Sequence, residues 1–190
     1  MYKMRKVFLL MLLISSNLCL GQESFQFKGI PISGSMDDFA KKIIQQGYKW
    51  QAPEEAYLFT GVFANEDCEI MLYEIEGTKD IEGVFVLIKR DDWSSMETLY
   101  YKFKDELSKK YGEPKSIEKF EYPYEKTDNN SYKWTAVKNG SVQFASIFDT
   151  DNGKILLRIS QEGKLIITYS DKEARKRSEK IKSNNFSSDL

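Results

Sequence analysis

The chain has 190 residues, a formal net charge of −1 and no histidine. The lack of histidine excludes the usual Ser-His-Asp and Cys-His hydrolases and imidazole-bound zinc. Residues 22–170 carry 19 basic and 25 acidic side chains, so this part of the chain is poorly suited to binding nucleic acid or an anionic membrane.

The N-terminal segment is typical of an export signal. Three basic residues precede an apolar run at residues 7–14, and Cys19 and Gly21 provide small residues before a cleavage site at Gln22. The run is shorter than the roughly 20 residues that a membrane span needs. We therefore expect a periplasmic or secreted protein whose signal peptide is residues 1–21. Acylation of Cys19 is the alternative, although Leu18 and Ser16 stand in the reverse of the usual lipoprotein order.

The first half of the mature chain reads as a helix followed by strands. Residues 25–30 alternate like an edge strand that Pro31 ends, and Ser35 is placed to cap a helix that Gly47 closes. Three strands are then predicted, at residues 57–63, 68–75 and 81–89, with the last one central because it is apolar on both faces.

The second half repeats this order. Ser94 and Glu97 form a capping box for a longer helix that ends at Tyr111-Gly112. Asn139-Gly140 and Asn152-Gly153 predict hairpin turns, because both central residues of such turns take positive φ. Five strands are predicted, at residues 115–122, 131–137, 141–148, 154–160 and 164–169.

These elements predict the fold class α+β, an antiparallel sheet with two helices packed on one face. Ser95-Met96 echoes Ser35-Met36 at a spacing of 60 residues, which suggests a duplicated α-β-β-β unit, with chance similarity of capping residues as the alternative. We expect one domain at residues 22–170 and a charged tail at 171–190, helical at first and then disordered.

Two groups of acidic residues suggest chemistry and also have ordinary explanations. Residues 149–153 resemble a calcium loop, but glycine stands at position five instead of six and Ser160 at position twelve, so a turn explains them and we expect no metal or cofactor. Paired carboxylates could serve a glycosidase without histidine. The candidates are Glu54-Glu55, Glu66-Asp67, Glu69 and Asp91-Asp92, most of which fall in predicted turns or at a helix start.

Aromatic residues, at 14% of the chain, suggest a contact surface. The candidate binding residues are Trp50, Tyr122, Tyr124, Tyr132 and Trp134, with the last two on one face of a predicted strand. Packing inside a sheet would account for the same residues. Cys68, the single cysteine after signal removal, is predicted to be buried, and an intermolecular disulfide is the other possibility.

Three stretches carry a resemblance to known proteins. Residues 27–32, Trp93 and residues 110–114 resemble a group of uncharacterised exported bacterial proteins. The tandem helix-plus-sheet plan is also similar to β-lactamase-inhibitor-type domains. That similarity implies a protein-binding sheet face and no catalysis, and it transfers no functional residue.

The sequence thus predicts a non-catalytic exported module that binds a protein or peptide partner in the cell envelope. The alternative is a histidine-free carboxylate hydrolase acting on envelope glycans.

The first testable prediction concerns export. We expect the protein isolated from its native cells to begin at Gln22, because the small residues before it fit signal peptidase. N-terminal sequencing and intact mass measure this directly. A diacylglyceryl group on Cys19 would contradict the prediction.

Overall fold

The computed structural model describes residues 24–51 and 57–188. The predicted signal segment and Glu54-Glu55 lie outside these residues. Within them the chain forms a large antiparallel sheet, a small two-stranded sheet and four helices, which confirms the α+β class. No helix in this part of the chain is long and apolar enough to cross a membrane.

The helices and strands of the described residues have the following bounds. The helices are α1 Met36–Gln45, α2 Trp93–Tyr111, α3 Asn130–Asn139 and α4 Lys172–Ser188. The strands are β1 Gln26–Phe27, β2 Ile30–Pro31, β3 Lys49–Gln51, β4 Leu58–Phe63, β5 Glu66–Glu74, β6 Ile81–Lys89, β7 Lys115–Phe120, β8 Val142–Asp149, β9 Gly153–Ile159 and β10 Lys164–Asp171.

The large sheet has the order β3-β4-β5-β6-β10-β9-β8-β7, and every neighbouring pair is antiparallel. The four strands that follow α1 form one half of the sheet, and the four that follow α2 form the other. The last strand of each half, β6 and β10, meets its counterpart in the centre. This order is compatible with a duplicated unit, but the duplication itself stays a prediction.

One face of the sheet, which we name the inner face, forms the core. A cross-strand row of side chains runs over six strands and is fully buried: Phe59, Ile70, Val86, Ile167, Leu157 and Ser146. Helix α2 packs on this face, since the ring of Trp93 contacts Phe120 and Phe144. Helix α1 adds Phe39 and Ile43 to the same apolar cluster. The packing of both helices on one face is left as a prediction.

The predicted strand at residues 131–137 is wrong, because these residues form α3. The Asn129 side chain accepts a hydrogen bond from the amide of Tyr132, which caps the helix start. Gly140 takes the left-handed conformation at the helix end. Asn139-Gly140 therefore stops a helix instead of forming a hairpin, because both structures use a residue with positive φ.

Three local details also differ from the sequence predictions. Gly153 does not adopt positive φ but begins β9, and the Thr150 hydroxyl bonds its backbone to close the turn. Asp92, and not Ser94, caps α2 by accepting from the Ser95 amide. Residues 25–30 are not one strand, because Lys28-Gly29 turns with positive φ between β1 and β2.

One strand and the last helix also differ from the sequence predictions. Trp50 lies in β3, a short strand that the sequence patterns did not predict. Helix α4 continues to Ser188, so residues 183–188 are helical where disorder was predicted. Cys68 is buried, as expected.

The join between the two halves gives the second prediction. A Cβ added at Gly83 of β6 would overlap the carbonyl oxygen of Tyr169 on β10 and the hydroxyl of Tyr73 on β5. We expect Gly83→Ala to lower the free energy of unfolding by about 1–3 kcal/mol, because a packed sheet cannot absorb this volume without shifting. Urea unfolding measures the change. Lys89→Ala on the exposed end of the same strand is the control, expected within about 0.5 kcal/mol of wild type. Equal stability of all three proteins would contradict the prediction.

Candidate functional site

Three of the five predicted binding residues come together at one end of the sheet. Tyr122 is 85% exposed and Tyr132 is 44% exposed. The rings of Tyr124 and Tyr132 lie 4.6 Å apart, and the Asn139 side-chain amide donates to the Tyr124 hydroxyl. The Tyr124 amide donates to the Glu121 carbonyl, and Tyr122 lies in the turn that this hydrogen bond closes. We name Tyr122, Tyr124 and Tyr132 the tyrosine patch.

The two tryptophans lie elsewhere. Trp134 follows Tyr132 by two positions on α3, about 200° further around the helix axis. It is half-buried against Gly163, where an added Cβ would lie 2.8 Å from its ring. Trp50 lies in β3, at the opposite edge of the sheet from β7, and stacks on Tyr57 and Phe59. The sequence prediction placed Tyr132 and Trp134 on one face because it assumed a strand. Since both lie in a helix and Trp50 lies at the opposite edge of the sheet, the five residues do not form one surface.

A larger surface, which the sequence reasoning did not identify, lies on the side of the sheet opposite the inner face. We name it the outer face. Side chains alternate between faces along a strand, and directly paired residues share a face. One cross-strand row contains Leu58, Met71, Phe85, Thr168, Leu156 and Ile147. The next row contains Leu87, Ile166, Arg158, Ala145 and Ile117.

These rows form an apolar band that remains open to solvent. Met71 is 37% exposed, Ile117 is 44% exposed, and Val62 at the border is 56% exposed. Leu58, Phe85, Leu87, Ile147 and Leu156 are half-buried. Helix α4 starts directly after β10, contacts β6, β9 and β10 in the centre of the sheet, and buries Ala174 and Ser178 there, so the open part of the band lies toward the two edges of the sheet. The sequence signal for this face was the strand predicted at residues 81–89, which is apolar on both sides. By itself this pattern indicated only a central position in the sheet.

The outer face is positively charged although the chain body is negative. Strand alternation and register place seven basic and three acidic side chains on it: Lys49, Lys89, Lys115, Lys119, Lys154, Arg158 and Lys164, with Asp67, Glu69 and Asp149. Two of the acids are held in ion pairs on the same face. Glu69 lies 2.7 Å from Lys164, and Asp149 lies 3.3 Å from Lys154 and 3.4 Å from Lys115.

A groove of about 890 Å³ lies where β3 begins beside β4 and β5. Its walls include Tyr48, Cys68, Asp67 and Glu69. The two carboxylates are neighbours on one strand face, with Cα atoms about 7 Å apart, and Glu69 is already paired with Lys164. Burial raises the pKa of the Cys68 thiol to about 11, so this group is protonated at neutral pH and is a poor nucleophile.

The other carboxylates proposed for catalysis serve structural contacts. Glu66 accepts from Lys102 and Arg90, and these two cations hold its pKa below the usual range. Asp92 caps α2, and the Ser95 amide and hydroxyl lower its pKa. Asp91 lies 3.4 Å from Lys89. Within the described residues, no group of three or more side chains is arranged to hold a metal ion.

Comparison with protein-family models, curated protein sequences and solved structures finds no significant match. The resemblance to exported bacterial proteins and to β-lactamase-inhibitor-type domains therefore remains an expectation.

The contrast between Tyr122 and Trp134 gives the third prediction. We expect Tyr122→Ala to change the free energy of unfolding by less than about 0.5 kcal/mol, because the ring is almost fully exposed. Trp134→Ala should cost about 2 kcal/mol, because its ring covers Gly163. Urea unfolding of both variants tests this. An equal effect of the two substitutions would show that Trp134 does not belong to the packed part of α3.

Proposed function

We propose that this chain is a non-catalytic exported module that binds a protein or peptide partner in the cell envelope, in the periplasm or outside the cell. The observation that carries the proposal is the apolar band on the outer face of the sheet. Soluble monomers rarely leave contiguous apolar patches of this kind in water, and larger patches rimmed by polar residues mark interaction sites.

The size of the outer face suits a protein partner. Eight strands spaced by about 4.8 Å extend over about 34 Å, and the described rows add about 20 Å along the strands. The resulting area of roughly 700 Å² is close to the 800 Å² or so that each partner contributes to a standard protein interface. A flat surface of this extent would leave most of a small molecule exposed, whereas small-molecule sites are concave.

The contacts of the carboxylates favour binding over catalysis. Glu66, Glu69 and Asp92 are occupied by an ion pair or a helix cap, and the pKa values of Glu66 and Asp92 are lowered. A general acid needs the opposite shift, toward a raised pKa. We assign the tyrosine patch to the same proposal as a second contact area, because exposed tyrosines gain apolar burial on binding while losing few rotamers.

The fourth prediction tests the outer face with exposed apolar residues of matched accessibility. Met71→Glu and Ile117→Glu place a charge in the apolar band, while Ile44→Glu alters an equally exposed isoleucine on α1. We expect wild type and Ile44→Glu to capture the same partner from envelope extract, and both outer-face variants to lose it. Quantitative mass spectrometry of the captured proteins measures this, and urea unfolding confirms that each variant is folded.

Two results would contradict the proposed function. Capture of the same proteins by all four chains would show that the outer face is not the contact surface. Specific turnover of an envelope glycan by the wild-type chain, lost on Asp67→Asn or Glu69→Gln, would favour the carboxylate hydrolase instead.

A further inference from the structure

The outer face differs in charge from the rest of the molecule. Its seven basic and three acidic side chains give it a net charge of +4, whereas residues 22–170 as a whole carry 19 basic and 25 acidic side chains. The rest of residues 22–170 therefore carries a net charge of about −10. Such segregation requires that most acidic residues avoid one face of the sheet while lysines concentrate on it.

The positive charges border the apolar band. Lys89, Lys164 and Lys119 lie in the row beside it, Lys49 and Lys115 lie at its two ends, and Arg158 lies within it. Because lysine and arginine side chains are longer than leucine or isoleucine, their charged ends stand above an apolar floor. This arrangement is complementary to an apolar centre surrounded by carboxylates.

Some of these cations are already neutralised and others are not. Of the outer-face acids, Glu69 pairs with Lys164, and Asp149 pairs with Lys154 and Lys115. In the part of the chain that the structure describes, Lys49, Lys119 and Arg158 form no ion pair. They lie on β3, β7 and β9, so unpaired positive charge is spread over both halves of the sheet.

From this pattern we infer that the outer face docks an acidic protein surface, in which apolar side chains are bordered by aspartate and glutamate. This inference rests on the proposed function and specifies the chemistry of its partner. Opposite potentials across an interface raise the association rate and exclude wrong partners.

Charge and shape disfavour the other occupants of such a face. A second copy docked face to face would oppose +4 with +4, which costs free energy. An anionic membrane would attract the lysines, but the central apolar side chains are half-buried between strands and do not protrude for insertion, and the body of the chain would be repelled. Nucleic acid requires a basic stripe, whereas here an apolar band occupies the centre.

The fifth prediction compares two triple charge reversals of equal net charge. The face variant combines Lys49→Glu, Lys119→Glu and Arg158→Glu. The control variant combines Lys42→Glu, Lys79→Glu and Lys126→Glu, which are exposed lysines outside the strands of the outer face and outside α4. The probes are two labelled peptides of about 20 residues with leucine at helical spacing. One carries glutamate at the remaining positions and the other carries lysine.

We expect the glutamate peptide to bind the wild-type chain and the control variant, and to bind the face variant at least tenfold more weakly by fluorescence anisotropy. Binding should weaken as salt is raised from about 50 to about 300 mM, because screening shortens the range of the charges. The lysine peptide should bind the wild-type chain weakly at all salt concentrations. Equal binding of both peptides, or an unchanged affinity of the face variant, would overturn the inference.

Three further measurements separate this inference from the proposed function. Binding to phosphatidylglycerol vesicles but not to the glutamate peptide would identify a membrane surface instead. Salt-sensitive self-association of the wild-type chain in sedimentation would identify a second copy. Envelope capture that is lost in Met71→Glu but retained in the face variant would leave the binding function standing and reject an acidic partner.

Discussion

The pairing of β6 with β10 is the contact on which the remaining structure depends. Each half of the chain is a meander of local antiparallel strands, and this single long-range pair joins the two meanders into one sheet. The opposed pair Val86 and Ile167 is fully buried at this join. Because Gly83 leaves room for the Tyr73 hydroxyl and the Tyr169 carbonyl beside it, the two central strands and β5 approach closely.

A joined sheet of eight strands has two faces, and its helices cover them unequally. On the inner face, Trp93 and Phe144 pack edge to face, and the Tyr100 hydroxyl lies 2.7 Å from the buried Ser146 hydroxyl. Glu118 accepts from Tyr100 and Lys104, so a polar network also fixes α2 to β7 and β8. The buried hydroxyls in this network are hydrogen-bonded, which avoids the cost of burying unpaired polar groups. On the outer face, α4 contacts the central strands β6, β9 and β10, whereas apolar side chains toward the two edges, such as Val62, Met71 and Ile117, remain exposed to water.

Charge distribution connects this uncovered face to the proposed role. A sheet whose outer face carries only polar side chains is stable in contact with water and needs no partner there. Here the middle rows of the outer face are apolar and the cations lie mostly around them, so hydrophobic burial and electrostatic attraction act on the same partner. The apolar contacts would supply most of the free energy of binding, and the charges would select which surface binds.

The sequence by itself determined the α+β class, the helices α1 and α2, most strand positions and the burial of Cys68, because hydrophobic periodicity and capping residues are local signals. The residues of α3 were predicted to form a strand, because Asn139-Gly140 is favoured both at the end of a helix and in a hairpin turn. The sequence prediction also grouped Trp134 with Tyr132, which a strand would place on one side and a helix places apart. Only the tertiary structure decided the outer face, because its composition depends on which residue of β6 lies beside which residue of β10. That register is set by contacts about 80 residues apart, which no local pattern encodes.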